Sequence, residues 1–341
     1  MADGSVNILI AGEAGQGLVT VGELLTKSLV RSGYFVHVTQ DYQSRIRGGH
    51  NTFAIRAAAH PVEAPLDAVD ILVALNQESI DLHRGQVRDG GLLLLGESLD
   101  LDGECVIRIP FKELASKPIF YNIAALGALA SVIGLDREAP AGLLKKTFAK
   151  KGEEIVRQNL EVLEKSYDWA TGQGRCRLAP LPPPDDPRPR LMLTANEAIA
   201  LGAMAAGVKF CSFYPMTPST TVALTLAAKG PRLGIMVEQA EDEIAALNMA
   251  LGAAFAGARA IVPTPGGGFA LMVEALSRAG MIEQPVVIAL IQRPGPATGL
   301  PTRTEQGDLN LALYAGHGDF PRAIFAPGTV EDFFHLTVRA F

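Results

Sequence analysis

The chain has 341 residues, of which 48% are hydrophobic and 6% aromatic, and its formal net charge is −6. This apolar fraction supports about two folded domains and excludes a disordered chain. With 30 basic and 36 acidic side chains and no cluster of lysine and arginine, the composition excludes nucleic acid as an expected partner.

Cysteine usage and the N-terminus both indicate a cytoplasmic protein. Cys105, Cys176 and Cys211 lie far apart and never as CxxC, so we predict no disulfide framework and no metal or iron–sulfur site in this chain. The N-terminus lacks the basic region of a signal peptide. The longest apolar window, 244–262, is interrupted by polar residues and predicts a buried helix followed by a strand, not a membrane span.

The first half alternates strands with helices, which predicts a layered α/β domain over 1–171. Apolar runs predict strands at 6–11, 34–38, 52–56, 71–75, 92–95 and 105–109. Helical periodicity covers 18–32, 122–133 and 141–169.

A glycine-rich turn joins the first predicted strand to the first helix. Gly12, Gly15 and Gly17 follow the spacing G-x-x-G-x-G, not the dinucleotide spacing G-x-G-x-x-G, so nicotinamide binding is not expected. Backbone amides at such a turn could bind an anion with the help of the helix dipole. A tight, closely packed turn explains the same glycines, and the sequence leaves both interpretations open.

Two arginines follow the second predicted strand, in the segment RIRGGH. Arg45 and Arg47 stand beside Gly48 and Gly49, where they could pair with carboxylates or phosphates. They could equally anchor a subunit interface. We favour the interface, because one loop without a second converging element makes a weak binding site.

A proline-rich segment, 172–190, separates the two halves. Its six prolines, two aspartates and four arginines form no periodic element, so we predict a semi-extended linker. Beyond it, over 191–341, strands are predicted at 208–213, 234–237, 260–263, 285–291 and 322–326, and helices at 195–207, 241–256 and 270–279. This pattern predicts an open, mostly parallel sheet whose functional loops lie at the strand C-termini.

Glu243 begins a predicted helix that is apolar almost all round and should therefore be buried. Positions 243, 247, 250, 251 and 254 share one face of that helix, and only the first carries a charge. Acidic residues in a first turn complement the helix dipole, which accounts for Glu241 and Asp242. For Glu243 this explanation leaves a desolvated carboxylate that needs a partner.

Two further loops could bind anions. Arg293 ends the apolar strand PVVIALIQR and enters a glycine–proline loop with Thr298 and Thr302, which suits the binding of a small carboxylate. A surface arginine in a turn is the simpler alternative. The run 264–268, TPGGG, follows another strand and resembles an anion nest, a pattern of low specificity.

Taken together, these residues resemble the thiamine-diphosphate-dependent 2-oxoacid:ferredoxin oxidoreductases, and specifically an α subunit with a fused N-terminal γ domain. The motif YPMTPS at 214–219 is similar to the family's Tyr-Pro-Ile-Thr-Pro-Ser, and EDEIAA at 241–246 and QRPGPATGLPTRTEQ at 292–306 follow in order. In the first half, GEAGQG followed by RIRGGH resembles the γ domain more loosely. The resemblance implies two α/β domains, the second of the pyrimidine-binding type.

The resemblance also implies roles for single residues. Glu243 would hydrogen-bond N1′ of the cofactor's aminopyrimidine, which helps that ring to take the C2 proton of the thiazolium. Thr217 and Arg293 would contact the 2-oxo-carboxylate of the substrate, with Thr302 nearby. Tyr214 and Pro215 would belong to the cofactor cleft, because the prolines stiffen the turn that presents Thr217.

The implied reaction is the oxidative decarboxylation of a 2-oxoacid with coenzyme A, giving acyl-CoA and reduced ferredoxin, and 2-oxoglutarate is the favoured substrate. The resemblance places Mg²⁺, the diphosphate site and a [4Fe-4S] cluster on a β subunit, so thiamine diphosphate would be shared in an (αβ)₂ heteromer. Ferredoxin would meet that complex. The family's α subunit continues into a further domain, so we expect this chain to be truncated. The alternative is a non-catalytic assembly subunit that binds β.

Overall fold

The computed structural model describes all residues except 1–3, 44–47, 104, 174–177 and 179. Arg45, Arg47 and Cys176, which the sequence singled out, lie outside the described residues. The chain divides into two compact units, Met1–Met192 and Leu193–Phe341, here called the first and second units.

The first unit is built on a mixed sheet in the order β2-β3-β1-β4-β5-β6. The strands are β1 (Ser5–Ala14), β2 (Phe35–Asp41), β3 (Gly48–Ala58), β4 (Val69–Ala74), β5 (Val87–Gly96) and β6 (Val106–Ile109). The helices are α1 (Leu18–Arg31), α2 (Gln77–His83), α3 (Phe111–Leu114), α4 (Tyr121–Val132), α5 (Glu138–Phe148) and α6 (Glu153–Thr171). Strand β3 runs antiparallel to β1 and β2, whereas β1, β4, β5 and β6 are mutually parallel.

Strand β1 reads as a continuous apolar run because both faces of the sheet are covered. Ile8 and Ile10 point into one core cluster, whereas Leu9 and Ala11 point into another on the opposite face. The predicted α/β layering is therefore confirmed.

One predicted helix of the first unit was wrong in extent. The sequence indicated a single helix over 141–169, but the structure breaks it into α5 and α6. Gly152 lies between them with φ 99°, a backbone conformation that residues with a side chain rarely adopt. The apolar period continues across the break, which is why periodicity alone missed it.

The described part of the proline-rich segment packs on the first unit. The backbone N–H of Leu181 donates to the carbonyl of Ile133 at 3.1 Å. Gly33 provides room for the same segment, because a Cβ there would lie 2.6 Å from Cα of Pro187. The guanidinium of Arg190 stacks 4.1 Å from the ring centroid of Phe35.

The second unit is an open parallel sheet, which confirms the predicted fold class, and its strands lie in the order β10-β9-β7-β8. The strands are β7 (Phe210–Phe213), β8 (Met236–Gln239), β9 (Ala260–Thr264) and β10 (Val287–Leu290). The helices are α7 (Ala195–Ala205), α8 (Thr220–Lys229), α9 (Glu243–Phe255), α10 (Gly266–Leu271), α11 (Val273–Met281), α12 (Leu309–Tyr314) and α13 (Val330–Ala340). Among the described residues, no helix combines the length and the apolar character that crossing a bilayer requires.

The strand predicted at 322–326 was wrong, since those residues form no regular element. Arg322 instead donates from its guanidinium to the carbonyls of Ala312 (2.9 Å) and Ala315 (2.6 Å). Hydrogen bonds from the Arg322 side chain therefore hold this segment, whereas the sequence predicted the backbone hydrogen bonds of a strand.

Candidate active site

The candidate site lies where the chain reverses direction across the second sheet. From the central strand β7 the chain moves to β8 on one side and then to β9 and β10 on the other. Ligands of open α/β sheets bind beyond the strand C-termini at such a switch point. The motifs at 214–219, 241–243, 264–268 and 292–302 follow β7, β8, β9 and β10 in turn, so all four lie at that edge.

Glu243 is the first residue of α9 and is only 3% exposed. The helix is capped by the side chain of Asp242, which accepts a hydrogen bond from the N–H of Ala245 at 2.7 Å. Oε1 of Glu243 is shielded from solvent and has no hydrogen-bond partner among the described residues. A buried acceptor without a donor costs stability, and native proteins keep few of them. The structure therefore presents a carboxyl oxygen that is shielded from solvent and lacks a donor among the described residues.

Gly268 makes room for this carboxylate. A Cβ at Gly268 would lie 2.8 Å from Oε1 of Glu243 and would overlap the hydroxyl of Thr264. Any other residue would push the glutamate side chain away. This glycine therefore has a packing role at the site, different from the anion nest that the sequence suggested.

The two preceding glycines also allow close approach. A Cβ at Gly266 would overlap the carboxyl group of Asp308, and a Cβ at Gly267 would lie 3.4 Å from the carbonyl oxygen of Ala297. Each of the three consecutive glycines thus faces a different neighbour. These glycines, here called the Gly266–Gly268 turn, form the first turn of α10, which contacts both the loop after β10 and the first residue of α9.

Asp308 is a site residue that the sequence reasoning missed. Its Oδ2 is shielded from solvent and has no hydrogen-bond partner among the described residues. Burial, together with the nearby charge of Glu305, raises the pKa of the Asp308 carboxyl. Its backbone N–H donates to Oε1 of Gln292 at 2.8 Å, which closes the loop that begins with Arg293.

Arg293 is buried, with 9% of its surface exposed. Its guanidinium donates to the backbone carbonyl of Thr217 at 2.7 Å, so the structure brings together two of the predicted substrate-binding residues. A guanidinium carries five N–H donors, and this bond leaves others for a ligand. The observed bond uses the backbone of Thr217, and the contact of its side chain with the substrate remains a prediction.

The turn that carries Thr217 is held rigidly. Ser219 is buried and its hydroxyl donates to the carbonyl of Met216 at 2.8 Å. The side-chain amide of Asn196 donates to the carbonyl of Pro218 at the same distance. Thr217 itself stays exposed at the rim of the turn.

The remaining predicted residues lie near the edge of the site. Tyr214 and Pro215 are exposed, and Thr302 is half-buried. Among the described residues, neither the Tyr214 nor the Thr302 hydroxyl is hydrogen-bonded to Glu243 or Arg293. Their predicted roles remain predictions.

In the first unit, the glycine-rich turn is closely packed at Gly12, whereas a Cβ at Gly15 would meet no atom within 4 Å. Gly15 and Gly17 have φ 100° and 84°, and Gly17 precedes α1. A Cβ at Gly12 would lie 2.7 Å from Oε1 of Gln16, which in turn accepts the N–H of Glu13 at 2.8 Å. These contacts account for the spacing as a tight turn. The open cleft beside it includes uncharged polar residues: Thr20, Gln40, Gln43, Asn51 and Thr52.

Gly48 and Gly49 begin β3 with φ 72° and 76°. Gly48 pairs with Ala14, and the register of the two strands shifts there by a bulge. The next residue, His50, was not given a role in advance. No group of three or more His, Cys, Asp or Glu residues within the described part of the chain could hold a metal ion.

His50 and His83 form a contact that the sequence did not reveal. Their Nε2 atoms lie 2.7 Å apart and their rings stack with centroids 4.9 Å apart. Burial and the neighbouring His83 lower the pKa of His50, with Glu78 and Asp41 acting in the opposite direction. The folded state thus disfavours the protonated form.

We expect acidification to destabilise the first unit through His50. Folding lowers the pKa of this histidine, so its contribution to stability is fully present above about pH 6.5, the ordinary pKa of histidine. That contribution is lost as the pH falls towards the lowered pKa of the folded state. Urea unfolding between about pH 8 and 5, followed through the single tryptophan, Trp169 on α6, should show this fall in wild type and a flatter profile in His50→Asn. The exposed His60→Asn serves as control. Parallel profiles for wild type and His50→Asn would contradict the assignment.

Two known families match the chain, one within each unit. Residues 201–341 match the thiamine-diphosphate-binding domain of pyruvate flavodoxin/ferredoxin oxidoreductase, and residues 7–169 match the pyruvate ferredoxin/flavodoxin oxidoreductase domain. The second unit, with its parallel sheet and buried carboxylate, thus falls in the class of thiamine-diphosphate-binding α/β domains.

Relatives of known name cover nearly the whole chain. The α subunit of a 2-oxoacid:ferredoxin oxidoreductase from Sulfolobus sp is 31% identical over 97% of the chain and 61% of that protein. The KorA subunit of 2-oxoglutarate synthase from Archaeoglobus fulgidus is 45% identical over 44% of the chain and 43% of that protein. A solved 2-oxoglutarate:ferredoxin oxidoreductase from Magnetococcus marinus superimposes with a TM-score of 0.90 and 33% identity, over 98% of the chain and 60% of that structure.

The chain belongs to the 2-oxoacid:ferredoxin oxidoreductase family and is similar to its α subunits. It spans about three fifths of the length of the full-length relatives named here.

Proposed function

We propose that the chain is the thiamine-diphosphate-binding α-type part of a 2-oxoacid:ferredoxin oxidoreductase. The reaction is the coenzyme A-dependent oxidative decarboxylation of a 2-oxoacid with reduction of ferredoxin, and 2-oxoglutarate is the favoured substrate. The observation that carries the proposal is the dry carboxylate of Glu243 at the switch point, with Oε1 lacking a donor. The Magnetococcus marinus relative, which was solved with 2-oxoglutarate, coenzyme A and succinyl-CoA bound, supports the choice of substrates.

The residues present fit the aminopyrimidine of thiamine diphosphate. Oε1 of Glu243 needs a donor, and a protonated ring nitrogen of the cofactor is one. Gly268 leaves the carboxylate free of side-chain obstruction. When bound, the cofactor supplies a nucleophilic carbon and an electron sink for decarboxylation.

Glu243 has the task of holding a proton at N1′ of that ring. Its burial strengthens the bond, because a charge-assisted hydrogen bond is stronger in a medium of low dielectric constant. The Asp242 cap fixes the backbone of the first turn of α9, from which the Glu243 side chain projects.

Arg293 and Thr217 have the task of holding the substrate carboxylate. The bond between the guanidinium and the Thr217 carbonyl orients the guanidinium plane and leaves further donors for the substrate. Thr302 is assigned to the same end of the substrate, on the loop that Gln292 and Asp308 close. Tyr214 and Pro215 are assigned to the wall of the cofactor cleft.

The remaining cofactor sites are assigned to a partner subunit. We place Mg²⁺, the diphosphate site and the [4Fe-4S] cluster on a β subunit, since the three cysteines of this chain never occur as CxxC. Ferredoxin then takes its electrons from an (αβ)₂ complex. The word "subunit" in the relatives' names supports such an assembly.

Reconstitution tests the proposal directly. The chain is co-expressed with a β-type subunit, and reduction of a viologen dye is followed with coenzyme A and each of several 2-oxoacids. We expect reduction that requires both the 2-oxoacid and coenzyme A, fastest with 2-oxoglutarate. Stable binding of β without turnover would instead favour the non-catalytic assembly role.

A further inference from the structure

In the second unit, two buried carboxyl oxygens lack a partner among the described residues, Oε1 of Glu243 and Oδ2 of Asp308. Both face the same turn of the chain. Glu243 packs where a Cβ of Gly268 would stand, and Asp308 packs where a Cβ of Gly266 would stand. The two carboxyl groups are thus placed by glycines only two residues apart.

Asp308 holds its place by direct packing. The three atoms nearest to the Cβ position of Gly266 all belong to the Asp308 carboxyl group, with Cγ and Oδ1 at 2.6 Å. The carboxyl group of Asp308 packs directly against Gly266, so each restricts the position of the other. The backbone of Asp308 is held by Gln292, the neighbour of Arg293. One residue therefore touches the glycine turn and also ends the arginine loop.

We propose that Asp308 is a positioning residue for Glu243, acting through the Gly266–Gly268 turn. By pressing on Gly266 it keeps Gly268 against the Glu243 carboxylate, which holds the glutamate in its position. The part of this inference that concerns thiamine diphosphate rests on the proposed function. The part that concerns the turn does not.

Two observations argue against an ordinary surface acid. Asp308 stands at the N-cap of α12, but its side chain makes no capping hydrogen bond. Oδ2 is nevertheless shielded from solvent, and no donor among the described residues compensates it. Burial also raises the pKa of the Asp308 carboxyl, as expected when packing, not solvation, determines its place. A positioning role depends on the shape of the group, so asparagine should replace aspartate and alanine should not.

Hydrogen exchange of the full chain without cofactor tests the packing alone. In Asp308→Ala we expect amides of 266–271 to exchange at least about tenfold faster, because the turn loses its support. Asp308→Asn should stay within about threefold of wild type, since the amide has the shape of the carboxyl group. Glu305→Gln, a change at an exposed carboxylate in the same loop, serves as the matched control and should leave this segment unchanged. Equal exchange in Asp308→Ala and wild type would overturn the inference.

The complex with the β-type subunit tests the consequence for Glu243. Thiamine diphosphate titrated into the complex should bind Asp308→Ala at least about tenfold more weakly than wild type, with rescue in Asp308→Asn. The near-ultraviolet circular dichroism of the bound aminopyrimidine should change in Asp308→Ala alone. Faster exchange with an unaltered affinity and spectrum would refute the link to Glu243. A wild-type complex that binds no thiamine diphosphate would refute the proposed function. The hydrogen-exchange result would still test whether Asp308 supports the Gly266–Gly268 turn.

Discussion

Replacing Glu243 by glutamine should lower turnover of the reconstituted enzyme by about 10²- to 10⁴-fold, the range expected for loss of a positioned proton-transfer group. Glutamine has nearly the same shape but cannot hold a proton at the cofactor ring as a carboxylate does. The adjacent carboxylate, Asp242, cannot substitute because it already caps the helix with its side chain. The loss should therefore appear in the rate constant more than in the binding of substrate.

The same substitution should leave the free energy of unfolding unchanged or higher. A dry carboxylate without a donor opposes folding, and its neutral isostere removes that cost. Viologen reduction and urea unfolding on one preparation measure both effects. The exposed Glu241→Gln, two residues earlier, is the control and should alter neither. Full turnover by Glu243→Gln would remove Glu243 from the mechanism.

Much of the fold could be predicted because local pattern and tertiary burial agree. Strand β1 is apolar on both faces in the sequence, and the structure covers both faces. Helix α9 is apolar almost all round, but only the face with Glu243 and Leu247 is buried, and Phe255 is 82% exposed. The predictions of secondary structure were wrong where one residue interrupts a periodic pattern or where a strand needs a partner strand. Helix α5 ends at Phe148 and Gly152 precedes α6, although the apolar period would continue as one helix. Residues 322–326 pair with no strand.

The site was only partly predictable, for a physical reason. Glu243 could be found because a charge on an apolar helix is unfavourable within its own sequence neighbourhood. Asp308 carries no such local signal. Its importance lies in contact with Gly266, 42 residues earlier in the chain (308 − 266), which only the fold brings about. The contact between His50 and His83 was missed for the same reason.

The glycines illustrate how a motif can be recognised and yet misinterpreted. Gly266, Gly267 and Gly268 follow a strand and precede a helix, which is the sequence pattern of an anion nest. The structure shows a carboxyl group beside the first and another beside the third. Acidic side chains pack beside two of the three glycines, so these glycines serve close packing.

Arg293→Lys should raise the KM for 2-oxoacids by about 10²-fold, which corresponds to roughly 2–3 kcal/mol at a site that needs several directed donors. The guanidinium donates to the Thr217 carbonyl and can still hold a carboxylate with its other N–H groups. An ammonium is a point charge on a flexible stem and cannot keep both contacts in one plane. Arg278→Lys, the same change on an exposed helix position, should leave the KM unaltered.

The choice of substrates makes this experiment decisive about what Arg293 binds. Pyruvate and 2-oxoglutarate share the 2-oxo-carboxylate group. If Arg293 holds that group, the KM for both substrates should rise by the same factor. If it holds the second carboxylate of 2-oxoglutarate instead, the loss should be confined to that substrate. Because Arg293 is tied to the Thr217 turn at the switch point, beside the loop that Asp308 closes, we expect the uniform loss. A loss selective for 2-oxoglutarate would move Arg293 from the reacting end of the substrate to the end that sets specificity.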